Sequence, residues 1–361
     1  MKKEVNHELK TWADNRGFKL KDKLSLWKTN IFGAIVRLIE KLYFGYPLFI
    51  LLQENGIEHI SHLKSVSKHL PLNWRDELYE LPNRKGYREP LRINSVIVDL
   101  NSGAVKLDSG HILIQRIGSH AFLSGNGYSQ IRKLIKFNGN AIEGEYIVLP
   151  KQNYYYHFLL EELPRVLFAL SSDSSMKVLS IGSQPEFVTQ ILSRFGDRVK
   201  FVQQNFVRVE ILNNVPDGFI SLNDGILNVK SFLPSPILDS GNPKKLFILR
   251  SSEARRDPLL EESAFKVLVP FGFKSVDASK LSITEQINLF AGATHVVGFH
   301  GGAFSNIIFT GNSARILEIY NAVYRNTCFE TISRVLDLEY SSMSLHDKES
   351  LINLVNWAST N

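Results

Sequence analysis

The spacing of hydrophobic and polar positions divides the chain into a β-rich part and a part in which strands alternate with helices. Residues 95–107 predict two strands joined through the hairpin turn signal Asn-Ser-Gly at 101–103. Further on, apolar runs alternate with amphipathic stretches, and the first of these, 186–196, ends in glycine as helices often do. Other strands are predicted at 111–117, 144–150, 176–182 and 199–204.

A second series of alternating elements begins at residue 244. Ser282 and Glu285 match the capping box Ser-x-x-Glu, which opens the helix that follows. Strands are predicted at 244–250, 273–278, 294–298 and 314–320, and helices at about 258–269, 283–293 and 347–358. Such alternation implies parallel sheets covered on both faces, so we expect an α/β protein with two Rossmann-like halves that face each other. The Pro-, Ser- and Gly-rich stretch 233–243 is the expected hinge.

Composition narrows the class of protein. Hydrophobic residues make up 44% of the chain and charged residues 22%, so neither a long disordered region nor a repeat array is expected. The single cysteine, Cys328, excludes an internal disulfide, argues against a cysteine metal site and favours a reducing compartment. The first 30 residues lack the apolar region of a signal peptide, so the expected location is the cytoplasm.

The positive charge is concentrated near the N-terminus. Residues 1–41 contain ten Lys or Arg and five Asp or Glu, and so carry +5 of the net charge of +6. Charged residues and a proline interrupt the apolar stretch 30–52, whose longest uncharged part is shorter than the roughly 20 residues of a membrane-spanning helix. One interpretation is a basic amphipathic segment, within 1–52, that rests on an anionic membrane. The other is a solvated helix followed by a core helix. The near-neutral remainder disfavours nucleic-acid binding.

A glycine-rich turn follows the predicted strand 294–298. Gly298, Gly301 and Gly302 let the backbone turn tightly and approach a ligand closely, and the predicted helix from Ala303 points its free N–H groups at the same place. Ligands of parallel sheets bind beyond the carboxyl ends of the strands, so the turn predicts a site for an anion, most plausibly a phosphate. The alternative is a purely structural turn, in which His300 makes only a structural hydrogen bond.

Basic side chains are expected at the same sheet edge. Arg250 ends the strand 244–250, and Arg255 and Arg256 follow it. Guanidinium groups bind phosphate oxygens in a bidentate manner, although a solvated loop with scattered charge is the alternative. Glu318, near the end of the strand 314–320, either accepts hydrogen bonds from a ribose or lies in an exposed loop.

A histidine and a carboxylate share one face of a predicted helix in 153–170. His157 and Glu161 are four residues apart, which is the composition and spacing of a general base and its orienting partner. Pro164 is expected to kink the helix or to end its first part, and Arg165 lies one turn beyond Glu161. The alternative is an aromatic core helix that carries one structural histidine.

In order along the chain, these motifs resemble the glycosyltransferase 61 family, which includes bacterial capsular-polysaccharide transferases and eukaryotic xylosyl- and N-acetylglucosaminyltransferases. The family patterns are His-Trp-x-x-Glu-x-x-Pro-Arg, an Arg-x-x-x-x-Arg-Arg segment, a Glu-Gln helix, and Gly-x-His-Gly-Ala-x-Leu-x-Asn followed by a phenylalanine. The residues that match them are, in order, His157, Glu161, Pro164, Arg165, Arg250, Arg255, Arg256, Glu285, Gln286, Gly298, His300, Gly301, Asn306 and Phe309. Phe158 stands where the family has Trp, and Gly302 where it usually has Ala.

The resemblance implies an inverting glycosyltransferase of the GT-B type, with two Rossmann-like domains that face a cleft. It would move a sugar from a nucleotide-sugar donor to a saccharide or glycolipid acceptor in bacterial capsule or surface polysaccharide synthesis, without a cofactor. Four segments are then expected: a basic, helical segment at 1–90, an acceptor-side α/β domain at 91–240, a donor-binding Rossmann-like domain at 241–345, and a C-terminal helix at 346–361. A non-catalytic nucleotide-sugar-binding module of a polysaccharide assembly complex is the alternative. A nucleotide-dependent oxidoreductase is disfavoured by the absence of Gly-x-Gly-x-x-Gly.

Inverting transfer needs a base on one face of the sugar and stabilisation of the departing diphosphate on the other. His157 is the predicted base, with Glu161 to orient it, Arg165 on the acceptor side and His300 as the competing candidate. The residues predicted to bind the donor are Arg250, Arg255, Arg256, Gly298, His300, Gly301, Gly302, Ala303, Asn306 and Glu318. Because no Asp-x-Asp follows a strand, arginines and a helix N-terminus are expected to act in place of a metal.

Overall fold

The computed structural model describes residues 49–52, 91–103, 105–106, 112–115, 133–134, 137–215, 219–250, 258–320, 326–345 and 347–359 of the chain. The basic stretch 1–41 and the two arginines Arg255 and Arg256 lie outside the described residues. Among the residues that are described, none of the helices has the length and apolar character needed to cross a membrane.

Thirteen strands are present in the described part of the chain. They are β1 (Phe49–Leu52), β2 (Leu91–Asp99), β3 (Val105–Lys106), β4 (Ile112–Gln115), β5 (Ala141–Leu149), β6 (Lys177–Ile181), β7 (Val199–Val202), β8 (Phe206–Asn214), β9 (Lys245–Ile248), β10 (Lys274–Val276), β11 (His295–Phe299), β12 (Arg315–Tyr320) and β13 (Glu339–Ser344). Most were predicted, but β1, β8 and β13 were not. Strand β1 lies at the end of the stretch 30–52, which was expected to be helical, and it pairs with β4.

The α-helices are α1 (Tyr155–His157), α2 (Leu163–Ser172), α3 (Glu186–Leu192), α4 (Leu222–Phe232), α5 (Pro258–Leu268), α6 (Ile283–Ala291), α7 (Cys328–Val335) and α8 (Lys348–Ser359). A π-helical segment, Phe158–Glu162, joins α1 to α2. The stretch Gly302–Phe309, predicted as an α-helix, is a 3₁₀ helix. The predicted capping box of α6 is confirmed: the Ser282 side chain accepts a hydrogen bond from Glu285 N, and the Glu285 carboxylate accepts one from Ser282 N at 2.7 Å.

The described elements form two compact units. Unit 1 consists of Met1–Lys151, Phe168–Gln184 and Asp197–Phe219, and unit 2 of Gln152–Leu167, Pro185–Gly196 and Ile220–Asn361. This division differs from the expected boundary between residues 240 and 241. The reason is that α1, α3 and α4 pack on elements of the C-terminal half. The expected hinge, 233–243, therefore lies inside unit 2, and so does the C-terminal helix α8.

Unit 1 contains an eight-stranded sheet with the order β1-β4-β3-β2-β8-β5-β6-β7. Only the run β8-β5-β6-β7 and the pair β1-β4 are parallel, whereas β2 pairs antiparallel with both β3 and β8. A Rossmann-like arrangement throughout this half was therefore wrong, because the hairpin predicted from the turn at 101–103 extends the sheet with antiparallel strands. The hairpin itself is confirmed, with Ile97 opposite Lys106 and Gly103 at φ 74°.

Unit 2 contains a five-stranded, fully parallel sheet with the order β10-β9-β11-β12-β13. The helices α5 and α8 pack together, while α6 and α7 pack on the 3₁₀ helix Gly302–Phe309. Alternate residues of the strands, such as Phe247, Val297 and Leu317, belong to the same apolar cluster as α5 and α8. The first strand of this sheet in chain order is β9. The next strand, β10, pairs on one side of β9, and β11 pairs on the other side, so a topological switch point lies between β9 and β11.

Gly298 allows β11 to lie close to β9. A Cβ atom at this position would lie 3.0 Å from Ile248 Cβ, 3.1 Å from Ile248 O and 3.3 Å from a ring carbon of Phe304. Real Cβ atoms avoid contacts of this length with backbone and buried rings, so the absence of a side chain is required by packing rather than by the dihedral angles.

We expect Gly298→Ala to lower the free energy of unfolding by about 1 to 3 kcal/mol, because the added methyl group overpacks the interior of unit 2. Gly311→Ala is the matched control, since no heavy atom lies within 4 Å of the methyl group it would add. Denaturant unfolding of the two variants and the parent measures the difference. Equal loss of stability in both variants would contradict the packing explanation.

Candidate functional site

Arg250 and the glycine turn meet at the switch point of the unit 2 sheet. Arg250 comes two residues after β9, and its Nη2 donates a hydrogen bond to the carbonyl oxygen of His300. A Cβ atom at Gly301 would lie 3.4 Å from both Nε and Nη2 of Arg250. The backbone N–H of Arg250 donates to the buried carboxylate of Glu261 at 2.7 Å. The prediction that this arginine and this turn share one sheet edge is confirmed.

The turn reaches solvent and contacts the start of α1. Gly302 is exposed, while Gly301 and Ala303 are half-buried. Gly301 precedes the 3₁₀ helix, and it has no side chain that could cap the helix N-terminus. A Cβ atom at Gly302 would lie 3.7 Å from Tyr155 Cβ and from Tyr156 N. The turn therefore combines N–H groups at a helix N-terminus, an arginine and the residues just before His157.

His157 and Glu161 form the expected pair. His157 Nδ1 and Glu161 Oε2 are 2.8 Å apart, and the side chains are 39% and 19% exposed. If Nδ1 donates its proton to the carboxylate, Nε2 is left as the basic nitrogen of the ring. The rings of Tyr154 and Tyr156 stand edge-on to His157, with centroids at 5.9 Å and 5.3 Å, and Tyr154 is 65% exposed.

A π-helical segment precedes Pro164, at the place where the sequence predicted a kink or the end of the first part of the helix. Proline has no N–H to donate to the preceding turn. The helix widens over Phe158–Glu162, where the Leu163 N–H reaches back five residues to Phe158 O, and then continues as α2. Such π segments are rare and often occur at functional sites. Here the segment carries Glu161 and directly follows His157.

A second histidine–carboxylate pair lies in the interior of unit 2. His300 Nδ1 is 2.5 Å from Glu318 Oε1, and Glu318 is completely buried. The other oxygen, Oε2, lies 2.9 Å from the Tyr320 hydroxyl and 2.6 Å from the Tyr340 hydroxyl. Burial together with this carboxylate raises the pKa of both tyrosines. Glu318 therefore holds His300, and the expectation that it contacts the donor or lies in an exposed loop was wrong.

The two histidine–carboxylate pairs share neighbours. The buried ring of Phe329 lies 5.3 Å from the His300 ring and 5.6 Å from the ring of Tyr156, which itself contacts His157. Burial, and after it the charges of Glu318 and Glu161, raise the pKa of the Cys328 thiol to about 12. The charges of both carboxylates thus act on the same thiol, so the two pairs lie in one region of unit 2.

Residues 155–317 match the protein family described as Glycosyltransferase 61. This part of the chain belongs to the glycosyltransferase 61 family. The match begins two residues before His157 and ends one residue before Glu318, so it covers both histidines and the turn between β11 and the 3₁₀ helix. A comparison with curated proteins finds no match. The family makes the protein a glycosyltransferase, which uses a nucleotide-sugar donor and an acceptor.

Asn306 links the elements of the glycosyltransferase 61 site through its side-chain amide. It is completely buried, so the prediction that it contacts the donor is not supported by its position. Its Oδ1 accepts a hydrogen bond from the Tyr155 hydroxyl at 2.9 Å, and its Nδ2 donates to Gln286 Oε1 at 2.7 Å and to Ala303 O at 3.1 Å. One amide thereby joins α1, α6 and the glycine turn.

Arg165 was predicted to lie on the acceptor side, and the structure shows a buried residue. Only 7% of the residue is exposed, and its Nη1 pairs with Glu162 at 3.1 Å. The pair lies on the buried side of the helix, so Arg165 has a structural role in this glycosyltransferase.

Several residues near the site were not predicted. Tyr320 lies two positions after Glu318 on β12, and the two-residue period of a strand places both side chains on one face. From this period, the sequence could have predicted that Tyr320 lies beside Glu318. Tyr340 could not be found in this way, since it lies on β13, a strand that the sequence pattern did not predict. Among the described residues, no group of three His, Cys, Asp or Glu could hold a metal ion.

Cys328 provides a test of this environment, because it is the only cysteine of the chain. With a pKa near 12, the thiolate fraction should rise about tenfold for each pH unit between pH 7 and 10. The rate of alkylation of the native protein should rise in the same proportion. In the urea-unfolded chain, the rate should level off above about pH 9, as for an ordinary thiol. A plateau near pH 9 in the native protein would contradict the placement of Cys328 beside the two carboxylates.

Proposed function

We propose that this protein is an inverting glycosyltransferase that transfers a sugar from a nucleotide-sugar donor to a saccharide or glycolipid acceptor during bacterial capsule or surface polysaccharide synthesis. The observation that carries the proposal is the contact between Arg250 and the turn that holds Gly301. It brings a guanidinium group and backbone amides together at a switch point, where parallel sheets bind their ligands.

The departing diphosphate gains negative charge in the transition state, and this charge must be stabilised. Arg250 supplies a fixed positive charge, and the amides of 301–303 supply hydrogen-bond donors at a helix N-terminus. These groups are held in place before the substrate binds, because the Arg250 backbone is tied to Glu261 and its guanidinium to His300 O. Such preorganised donors provide the stabilisation without a metal, and the proposed mechanism uses none.

The acceptor hydroxyl must lose its proton as it attacks the sugar. His157 suits this task, because it is partly exposed and Glu161 both orients the ring and stabilises the imidazolium that forms. Gly302 belongs to the turn assigned to the diphosphate, and it lies close to Tyr155 and Tyr156, the two residues that precede His157. The base and the leaving-group site therefore lie in one unit, where a sugar between them could present one face to each, as an in-line displacement requires.

The proposal extends to properties that rest on the family and on the sequence. It includes the GT-B arrangement, for which the parallel sheet of unit 2 provides a suitable donor half. It also includes a cytoplasmic location, with residues 1–52 on the inner face of a bacterial membrane. Neither a cofactor nor nucleic acid takes part. The alternative is a non-catalytic nucleotide-sugar-binding module of a polysaccharide assembly complex, which would bind the donor but transfer nothing.

His157→Gln should lower the rate of transfer by about 100-fold or more, since general bases contribute 10²- to 10⁴-fold, and should leave donor affinity within a few-fold. Glu161→Gln should cause a smaller loss. Glu262→Gln is the matched control, because Glu262 forms an exposed ion pair with Lys266 at the same four-residue spacing. Transfer rates with a donor found by thermal-shift screening measure the effects, and NMR of the first product formed reads its anomeric configuration. Full activity of His157→Gln would exclude this histidine as the base.

Arg250→Ala should weaken the binding of a nucleoside diphosphate by about 10- to 100-fold, the usual value of hydrogen bonds to charged groups. Arg250→Lys should fall between the parent and Arg250→Ala, because it keeps the charge but loses the planar donor geometry. Arg334→Ala is the control, since this exposed arginine of unit 2 pairs with Glu330 on α7. Titration calorimetry measures the affinities. Unchanged affinity in Arg250→Ala would contradict the phosphate role.

A further inference from the structure

Three consecutive tyrosines precede the proposed base, and they differ in what surrounds their rings. The ring of Tyr155 packs edge-on to Phe187 with a centroid distance of 5.4 Å, and its hydroxyl donates to Asn306. The ring of Tyr156 packs edge-on to Phe329 at 5.6 Å. Packing within unit 2 therefore explains why these two positions are aromatic.

Tyr154, the first of the three, has no comparable packing. It is 65% exposed, and in the described part of the chain the only ring it contacts is that of His157, edge-on at 5.9 Å. Single exposed apolar residues are common on protein surfaces, so exposure alone indicates nothing. What needs an explanation is that this exposed ring stands directly against the histidine proposed as the base.

The backbone position of Tyr154 makes a tyrosine less expected still. It is the N-cap of α1, with φ −130° and ψ 122°, and its carbonyl oxygen accepts a hydrogen bond from Phe158 N at 3.1 Å. Ser, Thr, Asp and Asn are preferred at an N-cap, because their side chains accept a hydrogen bond from the first turn. Tyr154 makes no such bond. Departures from a local preference are expected where a residue serves function instead of folding.

The start of α1 lies against the turn assigned to the diphosphate. A Cβ atom at Gly302 would lie 3.7 Å from both Tyr155 Cβ and Tyr156 N. A general base has to come within about 2.6 to 3.2 Å of the hydroxyl whose proton it takes. An acceptor hydroxyl at His157 therefore brings the rest of the acceptor beside this histidine, where Tyr154 presents its exposed ring.

An exposed tyrosine ring suits a sugar better than it suits other hydroxyl compounds. A pyranose carries C–H groups on its faces and hydroxyl groups around its edge. The face of an aromatic ring is apolar and has negative charge, so it attracts C–H groups and removes them from water. The phenol hydroxyl at the tip of the ring can exchange hydrogen bonds with sugar hydroxyls or with water. The side chain of a serine or threonine in a peptide has no face of this kind.

We propose that Tyr154 is an acceptor-binding residue: its ring stacks on the pyranose that carries the attacking hydroxyl and holds this hydroxyl at His157. The inference rests on the proposed function and deepens it, because it makes the acceptor a pyranose. Tyr154 lies one position before residues 155–317, which match the family. In the transfer, the acceptor oxygen bonds to the donor sugar, the bond to the diphosphate breaks, and the acceptor proton passes to His157.

Tyr154→Ala removes the ring and is the first test. We expect KM for the acceptor to rise on the order of tenfold and kcat to stay within about threefold, because the stacking binds the acceptor alike in the ground state and the transition state. Tyr154→Phe keeps the ring and should stay within about twofold of the parent in KM. The acceptors are methyl hexopyranosides, used with a donor found by thermal-shift screening.

Ile352→Ala is the matched control for the loss of an exposed apolar side chain. Ile352 is 53% exposed and lies on α8, a helix of unit 2 that carries no residue of the site. This variant should keep the acceptor KM of the parent.

Hydrolysis of the donor provides a readout that separates acceptor binding from a structural role. Without an acceptor, water takes the place of the hydroxyl and its proton passes to His157, so this reaction needs the donor site and the base but no pyranose. Tyr154→Ala should hydrolyse the donor at no less than the rate of the parent. A loss of hydrolysis in parallel with transfer would show that the ring acts on the donor, the base or the fold, and would overturn the inference.

Tyr154→Ser extends the test, because serine is a preferred N-cap residue and has no ring. Its Tm should be no lower than that of the parent, whereas its acceptor KM should rise as in Tyr154→Ala. Should Tyr154→Ala fail to fold, Tyr154→Ser decides, and an unchanged acceptor KM in this variant overturns the inference.

The outcomes distinguish this inference from the proposed function. A parent that neither hydrolyses nor transfers the sugar of any donor that binds it refutes the proposed function and removes the basis of the inference. An active parent whose acceptor KM is unchanged by Tyr154→Ala refutes the inference alone. The same holds for a parent that glycosylates a serine-containing peptide but no methyl hexopyranoside.

Discussion

The approach of one arginine to a glycine turn is the contact on which the rest of the site depends. A Cβ atom at Gly301 would lie 3.4 Å from the guanidinium group of Arg250, and a Cβ atom at Gly298 would lie even closer to the neighbouring strand, 3.0 Å from Ile248 Cβ. Together these contacts let β9 and β11 remain paired up to their carboxyl ends, where the chain changes direction across the sheet. A side chain at Gly298 would push β9 and β11 apart at the edge where the positive charge and the backbone amides meet, and an anion needs both.

The two histidine–carboxylate pairs differ in burial, and the difference suits them to opposite ends of one reaction. His157 and Glu161 are partly exposed, so a proton taken from an acceptor can pass on to water. Glu318 is completely buried beside His300, and in a low dielectric its interaction with the ring is stronger than it would be in water. The same two side-chain types therefore form one pair that solvent reaches, which the proposed function uses as the base, and one pair in the interior that holds the turn.

Sequence reasoning located the elements whose signals are local. The capping box at Ser282, the hairpin turn at 101–103 and the pairing of His157 with Glu161 depend on residues that are close in the chain. The meeting of Arg250 with the turn was predictable as well, because parallel strands place their carboxyl ends at one edge. Burial was not: Glu318 and Asn306 have side chains that bind ribose or phosphate when exposed, and only the packing of unit 2 shows that both are covered.

Glu318 forms a hydrogen-bonded group with His300, Tyr320 and Tyr340, and a contribution to stability is a poor explanation for this group. Removal of a carboxylate from water costs on the order of several kcal/mol, and apolar side chains of the same volume often stabilise a fold as well or better. On the same face of β12, two positions before Glu318, Ile316 is completely buried, so this face of the strand accommodates an apolar side chain. What the carboxylate and its tyrosines provide instead is one fixed orientation of the His300 ring. A fixed His300 also fixes the turn that continues to Gly301, which the proposed function assigns to the diphosphate, and this gives the buried acid a place in that proposal.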